Sequence, residues 1–285
     1  MAVVFASEVE TDALTEFVRR VLRHGSEQYR DFAWRRTTDP YAVLVSEVML
    51  QQTQTVRVQR YFDAWLARFP TADALAAASI GDVLEAWQGL GYNRRALLLK
   101  QTGERISEQY GGEVPATYED LLALPGVGAA TAAGVLVFAY NRSAVYLETN
   151  VRTVVLHEWF GNRDQIGDGE IREVLVHAAR VCGDQKIPPR VWNYALLDWG
   201  AYLKRTIPNP SRRSKHHSVQ SRFEGSRRQK RATLLRAVLT ADGGSAVDYA
   251  QTSGYDLDIV EDIFSDLVSE GFLSVTQGRY RVASP

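Results

Sequence analysis

The sequence predicts an all-α protein that ends in a small winged-helix module of mixed α and β structure. Three observations carry that prediction. Apolar residues recur at helical spacing along most of the 285 residues. No alternating strand ladder appears before residue 270. The last stretch, roughly 55 residues, changes style to short helices followed by a glycine-turned hairpin.

The elements follow in order. Leu14, Phe17, Val18, Val21 and Leu22 fall at i, i+3, i+4, i+7 and i+8, one face of a helix. Val58, Phe62, Trp65, Leu66 and Phe69 repeat that pattern until Pro70 stops it. Ser79 reads as the N-cap of a helix from Ile80 to Gln88, with Asp82 at its third position. Gly89-Leu-Gly-Tyr92 punctuates, and Arg94 to Tyr110 is helical again up to Gly111 and Gly112. Thr131 to Tyr140 is apolar nearly all round, the mark of a buried helix. Asn150 to Phe160, Glu170 to Val181 and Arg190 to Leu203 complete roughly ten helices over the first ~230 residues. Beyond Arg231, helices are expected at Leu234–Thr240, Val247–Thr252 and Asp256–Glu270. A hairpin then turns at Thr276-Gln-Gly. The third of these helices carries Asp256, Asp258, Glu261, Asp262, Asp266 and Glu270 with no Lys or Arg, so it would repel phosphates. A packing or partner role suits it better than DNA reading.

Composition narrows the class. An apolar fraction of 45% suits a globular core. The one cysteine, Cys182, excludes a disulfide framework and a four-cysteine metal or iron–sulfur site. No metal and no cofactor are expected. No apolar run is long enough for a membrane span, and the start turns acidic too early for a signal peptide. A cytosolic protein is expected. The net charge of −1 hides an asymmetry: residues 204–231 carry ten Lys/Arg and one acid, Glu224, for a local charge of +9. His216, His217 and Phe223 sit inside that segment, which reads as a phosphate-contacting element rather than a plain linker.

Three short stretches carry chemistry. Leu124-Pro-Gly-Val-Gly128 lies between helical segments, where glycine leaves the backbone bare and the next helix begins with unpaired N–H groups. Such a site binds an anion, and a tight structural turn would use the same residues. Ser46-Glu-Val-Met-Leu-Gln-Gln-Thr53 sets Glu47 among apolar residues, where desolvation raises a carboxyl pKa; a solvated helix glutamate would look the same locally. Glu148, in Val145-Tyr-Leu-Glu-Thr-Asn-Val-Arg-Thr-Val154, is either a reacting carboxylate or a helix-start acid.

Together these stretches resemble the helix-hairpin-helix DNA glycosylase superfamily. The similarity is greatest to its MutY-type adenine DNA glycosylases. SEVMLQQTQ, GLGY at 89–92, LPGVG at 124–128 and LETNVRTV at 147–154 occur in that family's order and spacing, and Trp34-Arg35 and Pro40-Tyr41 resemble its entry segment. The resemblance covers about residues 30 to 205. It implies a two-lobed all-α fold with DNA across the hairpin and a flipped base between the lobes. Glu47 then matches the general acid and Glu148 takes the place of the catalytic aspartate, with Asn150 as its polar neighbour. Gln51, Gln52, Thr53 and Tyr92 match residues at the duplex gap, and Leu124, Gly126, Val127 and Gly128 form the phosphate clamp through its backbone. Arg212, Arg213, Lys215, Arg227 and Arg228 are expected to contact DNA from a segment that replaces the family's iron–sulfur loop.

The departures shape the functional expectation. A glutamate for an aspartate moves the carboxylate by up to about 1.5 Å. Misplacement on that scale can cost roughly a hundredfold in rate, unless the pocket is rebuilt around the longer arm. Ala130 stands where bifunctional relatives place a lysine, so a lyase step is not expected. The C-terminal region does not resemble the family's usual NUDIX-like module. The expectation is a glycosylase domain over 1–205, a basic segment over 206–231 and a winged-helix-like domain over 232–285. Its function would be that of a monofunctional, monomeric, nucleoid-associated adenine (or related purine) DNA glycosylase acting on mispaired or damaged double-stranded DNA. The alternatives are a glycosylase for a deaminated base, hypoxanthine or uracil, and a non-catalytic DNA-damage binder.

Overall fold

The computed structural model describes residues 8–215, 222–241 and 243–283. His216 and His217 lie outside the described residues. The chain divides into two compact units. The first comprises Met1–Glu47, Ala116–Ala123 and Val127–Val219, and the second Val48–Pro115, Leu124–Gly126 and Gln220–Pro285. The expected all-α character holds: before residue 214 the described residues form twelve α-helices and two short 3-10 turns.

The first unit holds α1 (Glu8–Glu27), most of α2 (Pro40–Leu50), α8 (Tyr118–Leu122) and α9 (Ala129–Phe138). It also holds α10 (Thr149–Glu158), α11 (Asp168–Asp184) and α12 (Pro189–Thr206). Phe17, Val18 and Val21 of α1 are fully buried, as their spacing predicts, against Val151, Val154 and Val155 of α10 and Trp192 and Leu196 of α12. Close helix approach needs glycine here. A Cβ on Gly25 would stand 2.4 Å from the Ala195 backbone. Inside the same unit Asp198 is fully buried and held by Arg35 (2.6 and 2.9 Å) and Arg30 (2.6 Å). Removing one partner of such a pair would leave a buried charge uncompensated.

The second unit holds α3 (Thr55–Val58), α4 (Phe62–Arg68), α5 (Ala72–Ala77), α6 (Ile80–Trp87) and α7 (Arg94–Tyr110). The single helix expected across Val58–Phe69 is broken. Arg60 and Tyr61 bond to the carbonyls three residues back, which tightens the turn but keeps the apolar residues on one face. Ser79 caps α6 by accepting from the Asp82 N–H, as predicted, and Gly111 ends α7 at φ 61°. Trp65 packs edge-on against Phe69 and Trp87, at 4.9 and 5.3 Å between ring centres.

The C-terminal part of this unit contains α13 (Arg227–Thr240), α14 (Ala246–Ser253), α15 (Leu257–Ser269) and an antiparallel hairpin of β1 (Leu273–Thr276) and β2 (Arg279–Val282). Gln277 and Gly278 both have positive φ, as a two-residue hairpin turn of the primed type requires. Helix α13 starts seven residues earlier than the expected Leu234, because Ser226 caps it, Arg227 pairs with α15 and Arg231 pairs with Glu270 at the C-cap of α15. The expected boundary at 231/232 therefore falls inside a helix.

Candidate active site

Asp39-Pro40 starts α2. The Asp39 carboxylate accepts the Ala42 N–H at 2.8 Å, and proline at the first helical position has no N–H to orphan. The helix then carries Val43, Leu44 and Val45 into the core and Glu47 with them, 8% exposed. Burial pushes the Glu47 carboxyl up to about 8; a hydrogen bond from Tyr146 opposes that shift and the charge of Glu148 adds to it. Glu47 is thus a neutral acid at neutral pH. It lies on the bare backbone of Gly134 in α9, where an added Cβ would stand 2.3 Å from Oε2.

Glu148 takes the helix-start position that its sequence context allowed. It is the N-cap of α10: Oε1 accepts the backbone N–H of Asn150 at 2.6 Å and of Val151 at 3.0 Å. The Asn150 side-chain amide donates to Oε2 at 3.3 Å. The side chain curls back onto its own helix. Burial raises its pKa above the ordinary carboxylate range, while the Val151 and Asn150 N–H groups and the charges of Lys204 and Arg30 oppose the rise. The Asn150 carbonyl meets α12 at Gly200, where a Cβ would stand 2.2 Å from it. Glu47, Glu148 and Asn150 therefore belong to one unit, and the two carboxylates act on each other electrostatically.

Within the second unit, Gln51 and Thr53 are half-buried, and Gln52 and Tyr92 are exposed. Gln52 and Tyr92 both adopt positive φ, 54° and 50°, which non-glycine residues avoid unless the surroundings impose it. The imposing group is Arg95. Its buried guanidinium donates to the carbonyls of Val48, Met49 and Gln51 at 2.7–2.9 Å, to Thr53 Oγ1 at 3.0 Å, and to the Leu90 and Gly91 carbonyls at 3.4 and 2.9 Å. It caps the end of α2 and fastens the Gly89–Gly91 turn with one side chain. Burial lowers its pKa to about 10. Arg228 donates to the Tyr92 hydroxyl at 2.8 Å.

The hairpin segment divides by role. The Leu124 and Val127 side chains are buried, 3% and 6% exposed, so any phosphate contact there is through backbone. Gly126 takes φ 70° with its Cα facing Leu98, and Thr102 holds the Pro125 carbonyl at 2.6 Å. Gly128 is the N-cap of α9 and offers no side-chain cap, which leaves the first N–H groups of that helix for an anion. Ala130 is exposed in the first turn.

The basic residues do not form one set. Arg212 and Lys215 are exposed. Arg213 is half-buried and caps α10 by donating to the Leu156 carbonyl at 2.9 Å. Arg227 pairs with Asp262 and with Asp266 at 2.6 Å, and Arg231 pairs with Glu270 at 2.7 Å. Asp262 and Asp266 of α15, and Glu270 at its C-cap, are thus partnered within the chain. Cys182 is buried in the first unit's core, and burial pushes its thiol up to about 12. The described residues hold no cluster of His, Cys, Asp or Glu that would suit a metal, and a single thiol in an apolar core does not fit an iron–sulfur cluster. None of the described helices is long and apolar enough to cross a membrane.

Residues 45–180 match the HhH-GPD superfamily of base excision DNA repair proteins. Over that stretch the chain is similar to that superfamily. It is 42% identical over 173 residues to an adenine DNA glycosylase of Mycolicibacterium smegmatis, covering 60% of this chain and 58% of that protein. It is 44% identical over 137 residues to an adenine DNA glycosylase of Mycobacterium tuberculosis, covering 48% and 45%. The chain thus spans about half the length of the curated relatives it matches. Among solved structures, a thermostable thymine-DNA glycosylase superposes with a TM-score of 0.61 at 24% identity, over 71% of this chain and 93% of that one. That likeness establishes the shared fold.

Sequence reasoning missed Gly134, Tyr146 and Arg95. A glycine inside an otherwise apolar helical run was the signal for the first. Tyr146 reaches Glu47, 99 residues away, and four of the acceptors of Arg95 lie 42 to 47 residues away, which no local pattern displays.

Proposed function

We propose that the protein is a monofunctional DNA glycosylase of base excision repair that removes adenine from mispaired or damaged double-stranded DNA. The observation that carries this reading is the pairing, within one unit, of a buried protonated acid, Glu47, with a backbone-anchored carboxylate, Glu148. Glu47 donates its proton to the departing purine, and the N-glycosidic electron pair leaves with the base. The sugar develops positive charge, which Glu148 stabilises. Water adds to the anomeric carbon and its proton restores Glu47. The names of the 42–44% identical relatives support adenine as the base.

Several finer features belong to the same proposal. Ala130 supports hydrolysis without a lyase step, since it offers no amine for a Schiff base. The bare start of α9 supports phosphate binding there, with Gln51, Gln52, Thr53 and Tyr92 meeting the duplex. The three helices and hairpin over 227–282 are read as a winged helix whose acidic α15 faces its own basic residues rather than DNA. The protein is read as a monomer that works without an iron–sulfur cluster.

Purified protein should be incubated with duplexes bearing adenine opposite oxidised guanine, hypoxanthine, uracil or mismatched thymine. Release of adenine supports the proposal. Release of hypoxanthine or uracil alone would change the substrate, and binding without release from any duplex would make the protein a damage binder.

A further inference from the structure

Tyr146 stands two residues before Glu148 and is buried, 8% exposed. Its ring packs edge-on against Phe138 of α9 at 5.1 Å, and Phe138 is stacked on Tyr194 of α12 at 4.6 Å. The ring is thereby held by α9, with α12 backing Phe138 from behind, and its hydroxyl donates to Glu47. The Glu47 carboxyl sits between that donor and the bare backbone of Gly134. We propose that Tyr146 is a positioning residue for Glu47: its hydroxyl holds one carboxyl oxygen, so the acid proton is carried by the other.

This inference deepens the glycosylase reading and rests on it. A carboxylic acid offers two equivalent oxygens, and a general acid works only when its proton points at the acceptor. A fixed donor on one oxygen removes the ambiguity. Tyr146 suits the task because burial, together with the charges of Glu47 and Glu148, lifts its phenol well above its ordinary pKa. It stays a donor throughout the working range. The bond also favours the ionised carboxylate, so it holds Glu47 below the value that burial and Glu148 would otherwise give. The titratable groups that act on Glu47 are Glu148, Tyr146 and, from α12, Tyr194.

The test measures single-turnover adenine release against pH for three proteins: wild type, Tyr146→Phe, and a chain with 3-fluorotyrosine placed at 146. Fluorine acidifies the phenol and strengthens its donation at nearly constant shape. The alkaline limb is expected to move up by about one pH unit in Y146F and down in the fluorinated chain. The rate at neutral pH is expected to fall about tenfold in Y146F. Carbon NMR titration of the Glu47 carboxyl without DNA, assigned by its loss in Glu47→Gln, should give the same order of midpoints. A limb and a midpoint common to all three proteins would overturn the inference, even if Y146F were slower, because packing alone would then explain the loss. If Y146F fails to fold, the fluorinated chain still decides. If wild type releases no base, the glycosylase reading falls and the NMR order still judges Tyr146.

Discussion

The Glu47 carboxylate occupies the place a side chain at position 134 would need, 2.3 Å from where a Cβ on Gly134 would stand. Glycine in a helix interior costs up to about 1 kcal/mol relative to alanine, so α9 gives up stability at this point. The clash in Gly134→Ala would fall on the far end of a flexible side chain, and Glu47 would move rather than the helix. G134A is expected to melt at or slightly above the wild-type temperature while base release falls by about a hundredfold. A wild-type rate in a stably folded G134A would show that the acid does not need this seat.

Glu148 caps its helix through Oε1 and meets the Asn150 side chain through Oε2, and the proposed mechanism asks the same carboxylate to stabilise the sugar cation. Aspartate is a favoured N-cap and reaches the same N–H groups. Glu148→Asp is therefore expected to keep base release within about tenfold of wild type. Glu148→Gln keeps an accepting oxygen at a stability cost of about 1 kcal/mol but carries no charge, and release should drop by about a hundredfold or more. Duplex binding, followed by gel shift, should survive in both.

Most helices were legible because their ends are local. Ser79 with Asp82, Gly111 and Gly254 each announce a cap within a few residues. Glu47 and Glu148 were legible through their neighbours and order. What was not legible depends on partners distant in sequence: the Tyr146 bond to Glu47, the Arg95 guanidinium gathering both ends of a turn, and the pairing of Arg227 with α15. That last contact also neutralises part of the basic segment's charge within the chain.

Glu47 also ties stability to pH. Its folded pKa is about 8 against an ordinary value of 4.5, so the folded state binds the proton more tightly. Its contribution is fully present below the unfolded pKa and is lost as pH rises through the folded one. Glu47→Gln cannot ionise, so it should gain stability relative to wild type between about pH 5 and about pH 9. Denaturant melts at both pH values measure this, and a constant difference would refute the raised pKa. Base release should decline above about 8, where the acid loses its proton. Its acid limb should lie above the ordinary carboxylate range, because Glu148 must be ionised.

Arg95 joins the end of α2 to the Gly89–Gly91 turn through six acceptors. Arg95→Met would strand several buried carbonyls, at a cost of about 3 kcal/mol or more. Arg95→Lys keeps the charge but not the fork, and should recover only part of it. Both variants should weaken duplex binding more than they slow release from bound duplex, because Gln52 and Tyr92 lose the frame that holds them at positive φ. Equal losses in both steps would show that Arg95 serves the fold alone.

The basic segment makes the last distinction. Arg212 and Lys215 are exposed, whereas Arg227 is engaged by Asp262 and Asp266. If Arg212 and Lys215 each meet a phosphate, R212Q with K215Q should flatten the plot of log affinity against log salt by about 2. Arg227→Gln alone should leave that slope nearly unchanged. Asp262→Asn with Asp266→Asn should do the reverse and steepen it by about 1, by releasing the guanidinium to a phosphate. Exposed ion pairs are worth only about 0.2–1 kcal/mol, so the carboxylates would hold Arg227 chiefly by being nearer than the DNA. Anisotropy titrations of a lesion duplex over a range of salt concentrations read all three slopes. A flatter slope in R227Q would mean that DNA displaces the acids of α15, and that the helix competes for Arg227 rather than keeping it.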